Sequence, residues 1–514
     1  MEWTSIFLLS LVVSALVLVL RLSRRKGARN RGRLPPGPPG WPVFGNLFSL
    51  GQMPHRTLTL MRDRYGPVVW LRLGSINTMV ILSAEAAAEF FKNHDIHFAE
   101  RTITELMRVH DYHKGSVALA PYGAYWRVLR KLVTVDMLVS KRLNETVSIR
   151  RKCVDDMLRW VEDAACKSRP GNGVHVAQQV FLMTFNLLGN LMLSRDLLDP
   201  SSKVTSEFFT AMTGLMEWTG HANVVDLFPW LRRLDPQRLR RKMERDLGKA
   251  LEIASTFVKE RLEEQKEFVD SKNDETKKKK DFLDVLMEFE GNGKDEPAKI
   301  SDRDLNIFIL EIFLAGSETT SSTIEWALTE LLLHPESMNR AKAELSRVIG
   351  STRKVEESDF GQLLYVQAVV KETLRLHPPI PFLVPRRALE DTEFMGYQIP
   401  KNTQVFVNAW AIGRDPNVWA DPLEFKPERF LGSKLDFKGQ NYEFIPFGAG
   451  RRMCAGVPLA QRVLHLLLGS LLHEFDWEFD SRIDPKTIDM RDRLGVTMRK
   501  YEPLLAVPKK RNGL

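Results

Sequence analysis

One stretch, Glu443-Phe-Ile-Pro-Phe-Gly-Ala-Gly-Arg-Arg-Met-Cys-Ala-Gly-Val-Pro458, constrains this chain more than any other. Cys454 stands behind a turn holding Gly448 and Gly450 and ahead of Gly456, and such glycines let backbone amides approach a sulfur atom closely. A thiolate stabilised by amide donors is a metal ligand. No second cysteine or histidine lies within four residues, which excludes a clustered zinc knuckle and suits a single axial thiolate on a haem iron. A buried, inert cysteine in a glycine-rich turn is the competing reading of any lone cysteine.

A second stretch belongs to a long helix. Ser301 followed by Asp304 reads as a capping-box start with Asp in place of Glu, and Pro335 marks the stop after His334. The spacing predicts one helix of about 32 residues, ~48 Å at 1.5 Å per residue, enough to cross a whole domain. At its centre, Ala315 and Thr319 share one face, where small residues leave room for a bulky flat group. A mid-helix threonine can bond back to the carbonyl four residues earlier and loosen the ladder. An alcohol beside a carboxylate can pass protons to a bound group while bulk water is kept out. Glu318 and Thr319 are the candidate catalytic pair, against a Ser/Thr-rich helix that merely packs on a neighbour.

The pattern Phe447-x-x-Gly450-x-Arg452-x-Cys454-x-Gly456 resembles the haem-ligand loop of the cytochrome P450 superfamily. The resemblance implies that Cys454 is the proximal iron ligand, that Arg452 pairs with a haem propionate and that Phe447 packs beside the sulfur. Ala315 to Thr319 resembles the family's acid-alcohol motif over the distal haem face. Trp126-Arg-Val-Leu-Arg130 matches its Trp-x-x-x-Arg, implying that Trp126 and Arg130 meet a propionate, with Arg386 of Pro385-Arg-Arg387 a further candidate beside Arg387. Glu372 and Arg375 lie three apart on one helical face, and with Arg429 of Phe425-Lys-Pro-Glu-Arg-Phe430 they resemble the family's buried Glu-x-x-Arg network, a folding and haem-retention device. The implied cofactor is haem b. No dinucleotide fingerprint is present, so electrons come from a separate protein, which the resemblance identifies as a membrane-bound NADPH-cytochrome P450 reductase. Arg130, Lys131, Lys141 and Arg142 are candidate basic contacts for its acidic face.

The expected fold class is mainly α with a small β subdomain, the P450 fold, preceded by one transmembrane helix. Helical spacing covers 84–93, 141–165, 177–193, 236–267, 301–333, 335–349 and 365–376; strand-like alternation covers 66–83 and pieces near 385–407. The charged stretch 263–299 reads as partly a loop. Trp3 to Leu20 carry no charge and are about long enough to span a ~30 Å hydrocarbon layer. Basic residues from Arg21 to Arg33 follow them, the order of a retained anchor with a cytosolic body rather than of a cleaved signal peptide. The expected organisation is an anchor over 1–21, a basic and proline-rich hinge over 22–45 and a haem-thiolate domain over 46–514, single-pass in the endoplasmic reticulum membrane. A net charge of +9 in 514 residues comes with no nucleic-acid-binding signature, so no such partner is expected. Three scattered cysteines give no disulfide framework.

Among P450 branches the chain resembles plant microsomal geraniol hydroxylases and iridoid oxidases, through Lys92-Asn-His-Asp95, Ala120-Pro-Tyr-Gly-Ala-Tyr-Trp126, Asp226-Leu-Phe-Pro-Trp230 and Asn408-Ala-Trp-Ala-Ile-Gly-Arg-Asp-Pro416. That implies a monooxygenase acting on a small apolar substrate, a monoterpenoid or iridoid. The branch's substrate-contact regions nominate Ile312, Ala315, Ile380, Phe382, Leu383 and Val496 as pocket residues, although core packing explains each one singly. Competing functions are a haem-thiolate isomerase or dehydratase needing no dioxygen, a hydroxylase of fatty acids or other specialised metabolites, and a non-catalytic haem-binding membrane protein.

Overall fold

The computed structural model describes residues 33–169, 171–198, 207–270, 280–294 and 296–511; the apolar run from Trp3 to Leu20 and most of its basic flank lie outside them. Five short strands form the main sheet: β1 (Val68–Leu73), β2 (Ile76–Ile81), β3 (Glu100–Arg101), β4 (Arg386–Arg387) and β5 (Gln404–Val407), in spatial order β1-β2-β5-β4-β3. The β2–β5 pair is parallel and the others antiparallel. The proline-rich stretch is already part of this body. Pro36 O accepts the Trp70 N–H at 2.8 Å, and Gly37 lies so close to β1 that a Cβ there would fall 1.9 Å from the Trp70 carbonyl oxygen.

Three smaller sheets, of two, three and two strands, lie outside it, and the helices that build the core and the site are α1 (Ala124–Lys131), α2 (Val147–Lys167), α3 (Val176–Leu193), α4 (Glu207–Thr219), α5 (Leu239–Asp270), α6 (Asp302–Gly316), α7 (Glu318–Leu333), α8 (Pro335–Ile349), α9 (Leu364–Leu376) and α10 (Val457–Glu474). The core is built around α6 and α7, with α3, α4 and α5 against the first and α3, α9 and α10 against the second. Phe313 of α6 meets Phe185 of α3 and Phe208 of α4 at ring-centroid distances of 4.7 and 5.2 Å. Each such buried side chain contributes about 1.5–3 kcal/mol. Helix α3 is long and apolar enough to cross a membrane, yet two-thirds of it is buried inside the fold, which makes it a core helix.

The helix expected over 301–333 is two helices, broken at Ser317. Its N-cap forms, with Ser301 Oγ accepting from Asp304 N at 3.2 Å, but the box does not close, because the Asp304 carboxylate takes the Tyr125 hydroxyl instead. At the break the Ser317 N–H reaches Phe313 O only at 3.4 Å, while Thr319 Oγ1 and Thr320 Oγ1 donate to the carbonyls of Ala315 and Gly316 at 2.8 and 2.9 Å. Hydroxyls that take carbonyls from the backbone ladder loosen it there. The expected 141–165 helix is likewise divided, at Thr146. The stretch 263–299 holds more structure than its charge suggests: α5 runs to Asp270, and a short helix over Phe282–Met287 is tied to Arg261 through Asp281 and Asp284.

Candidate active site

Cys454 lies between a 3-10 turn over Gly450–Arg452 and the start of α10, whose first turn carries Pro458 where a missing N–H costs little. Gly450 has φ +69°, and a Cβ there would fall 2.5 Å from Asp95 Oδ1. Asp95 pins the loop: it accepts the Arg451 N–H at 2.9 Å and Arg386 Nη1 at 3.1 Å. The Cys454 N–H donates to Phe447 O at 3.0 Å, and the Phe447 ring rests against Phe437. Desolvation pushes the Cys454 thiol up from its ordinary range, while the N–H groups of Gly456 and Val457 and the charge of Arg130 draw it back toward the thiolate. The residue is nevertheless exposed, so it faces an internal cleft rather than packed protein. On α6, Ala315 is exposed although the residues from Asp304 to Leu314 are buried or half-buried.

Beside the loop four arginines gather. Burial and repulsion from Arg386 and Arg452 hold the Arg101 guanidinium well below its ordinary value, and Arg452 is pushed down to about 10 by burial and by Arg386. Arg386 and Arg130 are lowered mainly by desolvation. Arg452 donates Nε to Ala99 O at 3.0 Å and Nη2 to Ala120 O at 2.6 Å, and stacks on the Trp126 ring at 4.2 Å. Trp126 Nε1 donates to Val117 O at 2.9 Å, and Arg130 Nη1 to Met453 O at 2.6 Å. Arg130, half-buried, thus spends a donor on the Cys454 loop. So much buried positive charge calls for anions, and haem answers it with two propionates on a flat apolar ring. The donor set, an open thiol and an arginine-lined rim, fits that group. Arg101 and Asp95 were missed as site residues in the sequence, because neither belongs to a motif with chemical spacing.

The structure does not join the Glu318 and Thr319 side chains. Glu318, on α7, is buried and pairs with Arg499 Nη1 at 3.2 Å, whereas Thr319 Oγ1 is turned back to Ala315 O. Of the pocket candidates, Ile312, Ile380 and Val496 are partly buried, Val496 beside the end of α4 at Gly220, and Leu383 lies against the Cys454 loop at Gly448. Phe382 is not brought to this group: its ring packs on Phe406 and His55 in a separate cluster around β1 and β2. Behind the loop, Arg375 Nε and Nη2 both reach the Glu372 carboxylate at 2.7 Å, and Arg429 Nε joins at 3.0 Å. Arg375 and Glu372 are fully buried.

A model of the family described as Cytochrome P450 matches residues 35–507. The chain belongs to the cytochrome P450 family. It is 54% identical to "Cytochrome P450 76A2" of Solanum melongena over 99% of both chains, and 50% identical to the iridoid oxidase of Catharanthus roseus over 96% of this chain and 95% of that one. Among solved structures, a zebra fish cytochrome P450 with progesterone superposes with a TM-score of 0.73 at 26% identity, covering 89% of this chain and 99% of the other. This P450 is thus a monooxygenase that uses haem iron, with NADPH as the family's electron source by way of a reductase.

Proposed function

We propose that this P450 oxidises a small apolar plant metabolite of the terpenoid class, a monoterpenoid or iridoid, with Cys454 as the axial thiolate. The observation that carries the site assignment is the setting of Cys454: an open thiol at a helix N-terminus, beside the buried Arg101, Arg386 and Arg452 and the half-buried Arg130. Haem bound there supplies the oxygen-activating chemistry. Arg101, Arg130, Arg386 and Arg452 would hold its carboxylates, with Trp126 packed on Arg452, and Phe447 would pack beside the sulfur. The substrate class is supported by the apolar candidates Ile312, Ala315, Ile380, Leu383 and Val496, and by the iridoid oxidase among the relatives. The test is a reductase-coupled assay on geraniol, a nepetalactol-type iridoid and lauric acid. Oxidation of a terpenoid at an allylic or methyl carbon is the expected result, and turnover of the fatty acid alone defeats the terpenoid reading.

Thr319 and Glu318 are the residues assigned to proton delivery when haem is bound: Thr319 would offer its hydroxyl at the break in the central helix, where the ladder is loosest, and Glu318, paired with Arg499, would be the carboxyl of the pair. Thr319→Ala is expected to keep haem and substrate binding but to lower product formed per NADPH consumed, because organised proton delivery is lost while the iron ligand is untouched. A parent-like ratio would falsify the assignment.

We assign residues 1–21 as the membrane anchor, with the body in the cytosol. An exposed apolar patch supports this: Trp41 and Phe44 at the end of the hinge and Phe48 just after it are exposed, and Phe44 touches Phe228, itself beside exposed Trp230. Deleting Met1 to Arg33 should release only part of the protein from microsomes and leave its haem spectrum intact; adding Phe48→Ser and Trp230→Ser should complete the release. Loss of haem on deletion alone would contradict the boundary. Lys131 and Lys141, both exposed, remain the candidate contacts for the reductase.

A further inference from the structure

Residues 116–120 form a strap tied from both sides. Glu311 of α6, one turn before Ala315, is buried and takes the strap's donors: Ser116 Oγ and Ala118 N on Oε1 at 2.6 and 2.9 Å, and Val117 N on Oε2 at 2.6 Å. The strap's carbonyls go to the cofactor side. Trp126 Nε1 donates to Val117 O at 2.9 Å, Arg101 Nε to Ala118 O at 2.9 Å, and Arg452 Nη2 to Ala120 O at 2.6 Å. We propose that Glu311 is a positioning residue: by holding the strap between the haem-side arginines and the helix that carries Ala315, it sets the wall of the substrate site and so the size of molecule accepted. The proposal rests on the haem-thiolate site assigned above.

A carboxylate suits the position because all three partners are donors, and both of its oxygens only accept. Its own carboxyl is pushed up overall by burial, against the opposing pull of the three donors and of Arg452. Glutamine keeps the shape but turns an N–H₂ toward a donor. Ser116→Ala removes one donor and leaves the charge.

The test is a spectral titration of the haem-loaded parent, E311Q and S116A with two iron-binding probes, imidazole and the bulkier 4-phenylimidazole. The ratio of the two Kd values reads the wall above the iron and cancels differences in haem content. The ratio is expected to move about tenfold in E311Q, as one unmade buried hydrogen bond would require, and about threefold in the same direction in S116A. Ratios within about twofold of the parent in both variants overturn the proposal, as does haem loss with an unchanged ratio, which would make Glu311 a cofactor-retention residue only. If E311Q does not accumulate, S116A decides alone by the same criterion. A parent that binds neither probe overturns the site assignment and this proposal together.

Discussion

Replacing Cys454 with alanine is expected to abolish the red-shifted Soret band of the reduced, carbon monoxide-bound protein, and turnover with it. The band reports electron donation from an axial thiolate, and no other residue stands ready to supply one. Cys153 is buried with its thiol pushed up to about 12 by desolvation, and Cys166 is an exposed residue at the end of α2, far from the loop in sequence. The variant should still fold, because Gly450, Asp95 and the Phe447 carbonyl hold the loop through contacts that do not involve the sulfur. Measured against total haem, a parent-like band in Cys454→Ala would sink the assignment.

The second large effect concerns stability. Glu372 accepts from Arg375, from Arg429 and from the Lys426 N–H at 2.8 Å, and Arg375 spends its remaining donors on the carbonyls of Gly413, Pro422 and Glu424. Glu372→Ala leaves a fully buried guanidinium without its carboxylate, a loss of about 3–5 kcal/mol. Thermal unfolding of the haem-loaded protein should show it as a much lower midpoint, whereas Arg340→Ala, which removes an exposed pair with Glu428, should cost about 0–1 kcal/mol. Equal effects from the two would show that burial of the network does not matter. Catalysis per haem should be unchanged in the folded fraction of Glu372→Ala, since the network touches no cofactor or substrate group.

Much of this was legible in the chain because the chemistry sits on short, fixed spacings. The Cys454 loop, the Glu372–Arg375 pair and the Trp126–Arg130 turn are local, so residue type and separation define them. Helices with one apolar face were legible as well: 84–93 and 335–349 begin and end where the periodicity does. Helix α10 was not, because its stretch from Val463 to His473 is apolar on nearly every side and buried all round, which erases the contrast on which periodicity depends. The break at Ser317 was hidden for a different reason: nothing in the cap signals distinguishes one long helix from two in line. Contacts between remote segments were invisible too. Arg499 reaches Glu318 from the far end of the chain, and Asp95 and Arg101 join the Cys454 loop only through the sheet and its flanks. Phe382 packs on Phe406 of β5, a strand that pairs with β2 across more than 300 residues, and no local pattern encodes that contact.

The arginine cluster beside Cys454 bears on how the protein is made. Arg101, Arg386 and Arg452 repel one another in a desolvated setting, with Asp95 neutralising only part of the charge. Two propionates remove that load, so a ligand that binds the native chain and not the unfolded one adds its binding free energy to folding. Porphyrin and iron supply then act on the amount of protein as well as on its activity. Cells short of either should accumulate little of the chain, and feeding a porphyrin precursor should raise total protein together with the haem-loaded fraction.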